Sequence, residues 1–263
     1  MAATAPVVNG FATEQGHWYK TDGTPAYTII GKNGKERNTT VRDAREHGLR
    51  PSVTTILRGA AAPGLERWKI GNAIMSALTL ARQEGESDES YIFRIVRDSE
   101  EQAKKARDKG TEIHGAIENL DRTGPYAAHV DAAMAAVADW AGIMDWDSER
   151  SFASDLGYGG KLDLSAPGFV ADFKTTDKPL ADLKTWPEHR RQLAAYRHGL
   201  GMPEAKCAIV YVWTKTDPDP PLPPIDIKDR ARVIELPEEE LQHGWEEFKA
   251  LLALWYATNR MAL

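Results

Sequence analysis

Helical spacing of apolar positions dominates the chain between residues 51 and 143. It predicts a short helix capped by Ser52 and ending at Leu57, then helices over Leu65–Gln83, about Tyr91–Leu120 and Ala127–Ile143. Before this region, the apolar runs at 17–19 and 27–30 flank turn signals and predict short strands. We therefore expect a β-rich appendage over residues 1–50, followed by one larger domain over residues 51–263.

Strand-like runs bounded by turn residues begin near Arg150. They predict two strands joined by the turn Ala166-Pro167-Gly168, a crossover helix over Pro187–Leu200, and strands over Lys206–Trp213 and Ala231–Leu236. A proline-rich loop is predicted over Asp217–Pro224, and Pro237 begins a terminal helix that runs to about Asn259. Helices followed by a β-meander, a crossover helix and further strands predict an α/β fold with a mixed central sheet flanked by helices.

Composition restricts the class of protein. A chain of 263 residues with 42% hydrophobic and 27% charged residues is typical of a soluble globular domain, with no apolar run near the roughly 20 residues of a membrane span. The single cysteine, Cys207, excludes an internal disulfide and a four-cysteine zinc or iron–sulfur site, and its apolar surroundings favour a core position. The first six residues lack the pattern of a signal peptide, so we expect a cytoplasmic protein.

Charge is distributed unevenly along the chain. The net charge of −6 argues against general coating of nucleic acid, but basic residues crowd the N-terminal third and acidic residues the C-terminal end. The basic set comprises Lys32, Lys35, Arg37, Arg42, Arg45, Arg50 and Arg58. This polarity suits a protein with one face for phosphate groups.

The strongest chemical signal is a pair of predicted strands that carry Asp163, Asp172 and Lys174. Residues i and i+2 of a strand point to the same face, so Asp172 and Lys174 emerge side by side, and the turn between the strands brings Asp163 alongside. An ordinary surface ion pair explains Asp-x-Lys equally well in isolation. However, the flanking residues are apolar on both faces, as in a covered central strand, and favour a divalent-metal centre for phosphate chemistry.

Two helical patterns accompany these strands. His114 and Glu118 are spaced i, i+4 and share one helix face, while Gly110 and Gly115 permit close approach of a backbone or ligand. We expect His114 to be a metal ligand, and a helix-surface pair is the alternative. Further on, Gln192 and Tyr196 lie one helical turn apart, beside Arg191. Their side chains could contact a phosphate backbone, and the alternative is that they belong to a crossover helix packed on the sheet.

In order and spacing, these motifs resemble the PD-(D/E)XK nuclease superfamily. The matching residues are Gly110 and His114, Gly160 and Asp163, Asp172-Phe-Lys174, and Gln192 and Tyr196. Within that group the chain is similar to the RecB-type branch with an added helical histidine, which includes phage exonucleases and the mitochondrial genome maintenance exonuclease. Residues 51–57, with Leu65 and Trp68, resemble the start of that branch's nuclease domain, and the resemblance covers roughly residues 51–215.

The resemblance implies a role for each matching residue. Asp163, Asp172, His114 and the backbone carbonyl of Phe173 would bind Mg²⁺ or Mn²⁺, and Lys174 would orient or deprotonate water or stabilise charge on the phosphate. Gln192, Tyr196 and Arg191 would contact DNA, and Glu118 and Glu149 are possible additional acidic residues. The chain departs from the family in having Asp172 where glutamate is more common, and it lacks the cysteines of the iron–sulfur relatives.

The function expected from this resemblance is metal-dependent DNA exonuclease activity, in phage or bacterial recombination or end processing. The resemblance implies DNA with free ends as the partner, with a strand-annealing or single-strand-binding protein as a further candidate and no membrane. Two alternatives stay open on the same fold: a structure-specific endonuclease, and a DNA-end-binding protein that has lost catalysis. A plain α/β binding protein with a structural acidic cluster is a more distant alternative.

Overall fold

The computed structural model describes residues 16–61, 63–143, 145–214 and 230–261. The proline-rich loop predicted over Asp217–Pro224 lies outside this range. None of the helices within it is both long and apolar enough to cross a membrane.

The N-terminal segment is built from short strands and one helix. Its elements are β1 (Trp18–Tyr19), β2 (Thr28–Ile30), β3 (Glu36–Asn38), α1 (Val41–His47) and β4 (Arg50–Pro51). The sequence pattern predicted strands alone here, so α1 corrects it. Local chemistry explains the helix, because Thr40 and Asp43 form a reciprocal capping box and Gly48 ends the helix in the left-handed conformation.

This segment is attached closely to the rest of the chain. Strand β1 pairs with β4, and Ser52 forms a parallel bridge with Gly159. Trp18 and Tyr19 are buried, and Trp18 packs against Trp255 of the C-terminal helix. The division at residue 50 stays a prediction.

The helical region follows as α2 (Val53–Leu57), α3 (Pro63–Thr79), α4 (Asp88–Glu118) and α5 (Ala127–Ala141). Ser52 caps α2 as expected, because its hydroxyl accepts a hydrogen bond from the Thr55 amide at 3.0 Å. Helix α3 begins at Pro63 rather than at Leu65, since proline is tolerated in the first helical turn. It packs on α4 and leaves large apolar side chains such as Ile74 and Leu78 exposed.

The central sheet has five strands: β5 (Asp147–Ser154), β6 (Tyr158–Ala166), β7 (Phe169–Thr176), β8 (Lys206–Trp213) and β9 (Ala231–Glu235). They pair in that order, with β7 and β8 parallel and the other neighbours antiparallel. The crossover from β7 to β8 contains α6 (Pro187–Gly199), and α7 (Glu238–Thr258) ends the described fold. The predicted α/β architecture with a mixed central sheet is confirmed.

Helices cover both faces of this sheet and create two apolar clusters. On one face, Ile113 of α4 and Val130 of α5 pack with Phe173. On the other, Leu193 of α6 and Phe248 of α7 belong to the larger cluster, together with the buried Cys207. Strand β7 is therefore covered on both faces, as its two-sided apolar pattern predicted.

Candidate metal centre

The candidate site lies where β6 and β7 stop pairing. Their register runs from Ala166↔Phe169 to Leu164↔Ala171 and ends there, one residue before Asp163 and Asp172 would face each other. The Asp163 carboxylate compensates for the interrupted ladder, since its Oδ2 accepts a hydrogen bond from the Phe173 amide at 2.6 Å. The gap gives both carboxylates access to the helices on either face.

Asp172 and Lys174 form a close ion pair beside this gap. Lys174 Nζ lies 2.5 Å from Asp172 Oδ2, and only 3% of the Asp172 side chain is exposed. Among the described residues, the buried Asp172 Oδ2 has this ammonium group as its one close polar partner. Burial and the nearby charge of Asp163 raise the pKa of Asp172 although Lys174 opposes the rise.

His114 joins α4 to the opposite side of the gap. Its Nε2 lies 3.0 Å from Asp163 Oδ2 and its Nδ1 lies 2.5 Å from Glu118 Oε1, as expected for an i, i+4 pair. Burial disfavours the imidazolium, but the hydrogen bonds and charges of Asp163 and Glu118 outweigh burial and raise the pKa of His114 to about 9. Glu118 therefore orients the ring through the nitrogen that faces away from Asp163.

The two glycines that flank His114 differ in their surroundings. A Cβ atom at Gly110 would lie 2.7 Å from Thr175 Oγ1, so α4 lies close to β7 and a larger residue fits there only if the Thr175 hydroxyl moves. A Cβ atom at Gly115 would have nothing within 4 Å among the described residues. The short distance between α4 and β7 thus accounts for Gly110, whereas Gly115 borders open space beside His114.

Gln192 and Tyr196 reach the site from α6, on the other face of the sheet. The Gln192 amide donates to Asp172 Oδ1 at 2.9 Å and to Tyr196 Oη at 3.0 Å, and its oxygen accepts from Lys174 Nζ at 3.3 Å. Burial and the charges of Asp172 and Asp163 raise the pKa of Tyr196 well above its usual range, so the phenol stays neutral. Gln192 thus contacts Asp172 directly, and Tyr196 is linked to Asp172 through Gln192.

The other two predicted residues have different partners. Arg191 lies on the α7 side of α6, where its Nε is 2.9 Å from Glu247 Oε2, so it does not join the cluster. Glu149 lies where the β5–β6 pairing skips from Ser148↔Leu164 to Arg150↔Leu162. It adopts a left-handed φ of 56°, and its carboxylate pairs with Lys161. Glu149 is therefore near the centre without contacting it.

One buried residue beside the site was absent from the sequence prediction. His189 is 6% exposed, lies three residues before Gln192 on α6, and packs edge-on against Tyr211. Burial and the charge of Lys174 lower its pKa to about 4, so it is a neutral polar neighbour of the lysine. The i, i+3 spacing to Gln192 was the signal for it.

The donor set fits a hard divalent cation. Two carboxylates, one imidazole and the carbonyl that follows Asp172 are ligands that Mg²⁺ and Mn²⁺ accept, and the buried Asp172 Oδ2 has only the Lys174 ammonium group as a partner in the described part of the chain. Among the described residues, no three His, Cys, Asp or Glu side chains form a ready ligand set. Lys174 and His114 instead contact the carboxylate oxygens directly, and a cation held by both aspartates and His114 would replace these two contacts.

Comparisons with known proteins do not identify a family for this chain. No protein-family model and no curated protein matches the chain. Among solved structures, a "putative exonuclease" from Eubacterium rectale is similar at a TM-score of 0.40 and 12% identity, over 59% of this chain and 69% of that one. A protein named SSO0001 is similar at a TM-score of 0.30 and 14% identity, over 71% and 85%. Likenesses this weak carry no argument about function.

Proposed function

We propose that this protein is a metal-dependent deoxyribonuclease of the PD-(D/E)XK type that acts as an exonuclease. The observation that supports this most directly is the convergence of Asp163, Asp172 and Lys174 at a gap in a covered sheet, with His114 on one side. Burying two carboxylates and an ammonium group is costly, and a phosphodiester-cleaving centre accounts for that cost.

In this proposal, Asp163, Asp172, His114 and the Phe173 carbonyl hold Mg²⁺ or Mn²⁺. The cation, when bound, supplies an activated water and charge stabilisation on the phosphate oxygens. Glu118 holds the His114 ring from behind, as the 2.5 Å contact at Nδ1 permits. One metal site accounts for these ligands, and no iron–sulfur cluster is involved.

Lys174 has the role of stabilising negative charge on the phosphate. Burial disfavours its ammonium form, but the charges of Asp172 and Asp163 outweigh burial and raise its pKa, so the side chain is protonated at neutral pH. In this protonated form the lysine donates to a phosphate oxygen or orients water. Gln192 keeps this ammonium group beside Asp172 through its oxygen.

The test is digestion of end-labelled linear and covalently closed circular DNA with Mg²⁺, Mn²⁺ or EDTA. We expect metal-dependent loss of linear DNA alone, and a decrease of about 10²-fold or more for Lys174→Ala with DNA binding retained. The exposed Lys178→Ala is the matched control and should cut normally. Near-normal turnover of the Lys174 variant would refute the role of the lysine.

Other results would select among the remaining functions on this fold. Cutting of closed circles would indicate an endonuclease rather than an exonuclease. Retention of DNA without any cutting would indicate a catalytically silent end-binding protein. Equal digestion of RNA would change the substrate class without changing the assignment of the centre.

A further inference from the structure

A basic cavity lies beside the N-terminal segment, away from the candidate metal centre. A cavity of about 450 Å³ opens between α1, the β5–β6 turn and the C-terminal end of α7. Its floor is apolar, because Ala44, Leu49 and Tyr256 are buried there. Its walls carry three guanidinium groups, those of Arg45, Arg50 and Arg260. The volume is within the range of ordinary ligand sites.

The positive charge of this cavity is weakly compensated. Arg45 donates to the Asn259 carbonyl at 2.7 and 3.1 Å, and Arg50 donates to the Ser154 carbonyl at 2.7 Å. The carboxylate that lines the cavity belongs to Asp155, which is fully exposed and 4.0 Å from Arg50. Backbone carbonyls do not neutralise guanidinium charge, so the described walls remain net positive.

Arg260 occupies a position that usually requires glycine. It follows α7 with a φ of 50°, in the left-handed region. The Met261 amide donates to Tyr256 O at 3.1 Å and the Arg260 amide donates to Ala257 O at 3.2 Å, which is the Schellman pattern. The exposed Arg260 side chain has no hydrogen bond or ion pair among the described residues. The cost of placing an arginine in this conformation at the wall of a basic cavity points to a role for its charge.

We propose that this cavity binds a phosphate group of a nucleic acid backbone, as an anion site separate from the metal centre. Guanidinium groups suit phosphate because their forked donors bind two oxygens at once. The segment from Gly157 at the cavity to Asp163 spans roughly 20 Å, about six nucleotides of a B-form strand. That the phosphate belongs to DNA rests on the proposed function.

Arg260→Gly is the decisive variant, because glycine relieves the left-handed strain and removes only the cation. Its melting temperature should equal or exceed that of the wild type. Its affinity for a labelled single strand of about 12 nucleotides, measured by anisotropy in EDTA, should fall roughly 3- to 10-fold, and the slope of log affinity against log salt should decrease by about 1. A strand of about four nucleotides is too short to span both sites, so it should bind the wild type more weakly than the longer strand does.

The matched control is Arg122→Gly, which removes an exposed arginine paired with Asp131 outside the cavity and should leave binding unchanged. Equal affinity of wild type and Arg260→Gly for the longer strand would overturn the proposal. A thermal shift with inorganic phosphate that depends on Arg260, without any effect on the longer strand, would overturn the backbone assignment in favour of a free anion.

These results separate the two proposals. Loss of binding in Arg260→Gly together with a wild type that cuts no DNA would uphold the cavity and refute the nuclease. Metal-dependent digestion with unchanged binding in the variant would uphold the nuclease and refute the cavity.

Discussion

The side-chain amide of Gln192 on α6 donates a hydrogen bond of 2.9 Å to Asp172 Oδ1 on β7. Its oxygen accepts from Lys174 Nζ at 3.3 Å, so one neutral residue holds both charges of the neighbouring ion pair. Because the pair is largely buried, water cannot replace these contacts without cost. Gln192 therefore fixes the orientation of the carboxylate that we assign to the metal.

Gln192→Ala should lower activity by roughly 10- to 100-fold, as is usual when the group that orients a metal ligand is removed. The reason is that Asp172 Oδ1 and Lys174 lose their common partner. Turnover and Mn²⁺ affinity by calorimetry measure the effect. Gln242→Ala, which removes an exposed glutamine bonded to Glu238, is the control. Unchanged turnover and metal affinity would show that the hydrogen bond has no functional role.

Asp163→Asn should weaken Mn²⁺ binding at least about tenfold, because the amide keeps an acceptor for the Phe173 amide but loses the negative charge. At Mn²⁺ of 100 times the wild-type Kd, metal should stabilise the wild type by about 2.7 kcal/mol and the variant by about 1.4 kcal/mol or less. Denaturation with and without Mn²⁺ measures both. The exposed Asp177→Asn should behave as the wild type, and equal metal stabilisation of Asp163→Asn would exclude Asp163 as a ligand.

Gly110→Ala should be less stable than Gly115→Ala although both glycines lie in α4. A methyl group at Gly110 meets Thr175 Oγ1 at 2.7 Å, so the cost of displacing this hydroxyl should offset the helix propensity of alanine. At Gly115 the space is open, and alanine should gain up to about 1 kcal/mol. Urea unfolding of the pair is the measurement. Equal stabilisation by both substitutions would mean that α4 does not approach β7 closely.

Glu247 should make stability depend on pH. Hydrogen bonds from Arg190, aided by Arg191, lower its pKa from the ordinary 4.5 to about 2 despite partial burial. A lowered carboxyl pKa stabilises the fold above pH 4.5, and this contribution is lost as the pH falls through about 2. Allowing for its 25% exposed side chain, we expect Glu247→Gln to cost about 1–2 kcal/mol at pH 6.

The difference in the free energy of unfolding between wild type and Glu247→Gln should decrease by more than half at pH 3, because the carboxyl group then protonates on unfolding. Urea titrations at both pH values measure it. Glu246→Gln, at an exposed position paired with Lys249, should show little change. A difference that is the same at pH 6 and pH 3 would contradict the assigned pKa.

The sequence by itself determined the relationships that depend on local geometry. A period of two residues places Asp172 and Lys174 side by side, and the i, i+4 spacing brings His114 to Glu118. Strand β7 carries apolar residues on both faces, which predicted its covered central position. The helix α1 was also encoded locally by its capping residues, although the strand signals around it masked that pattern.

Only the tertiary structure decided the contacts between elements that are far apart in the chain. His114 meets Asp163 across 49 positions because α4 packs on the sheet where β6 and β7 separate. Arg191 pairs with Glu247 rather than with the carboxylates of the metal centre, because α6 also packs against α7. The spacing of residues along α6 does not determine which of these two partners the arginine contacts. Periodicity fixes the face on which a side chain lies, whereas its partner depends on how the elements pack.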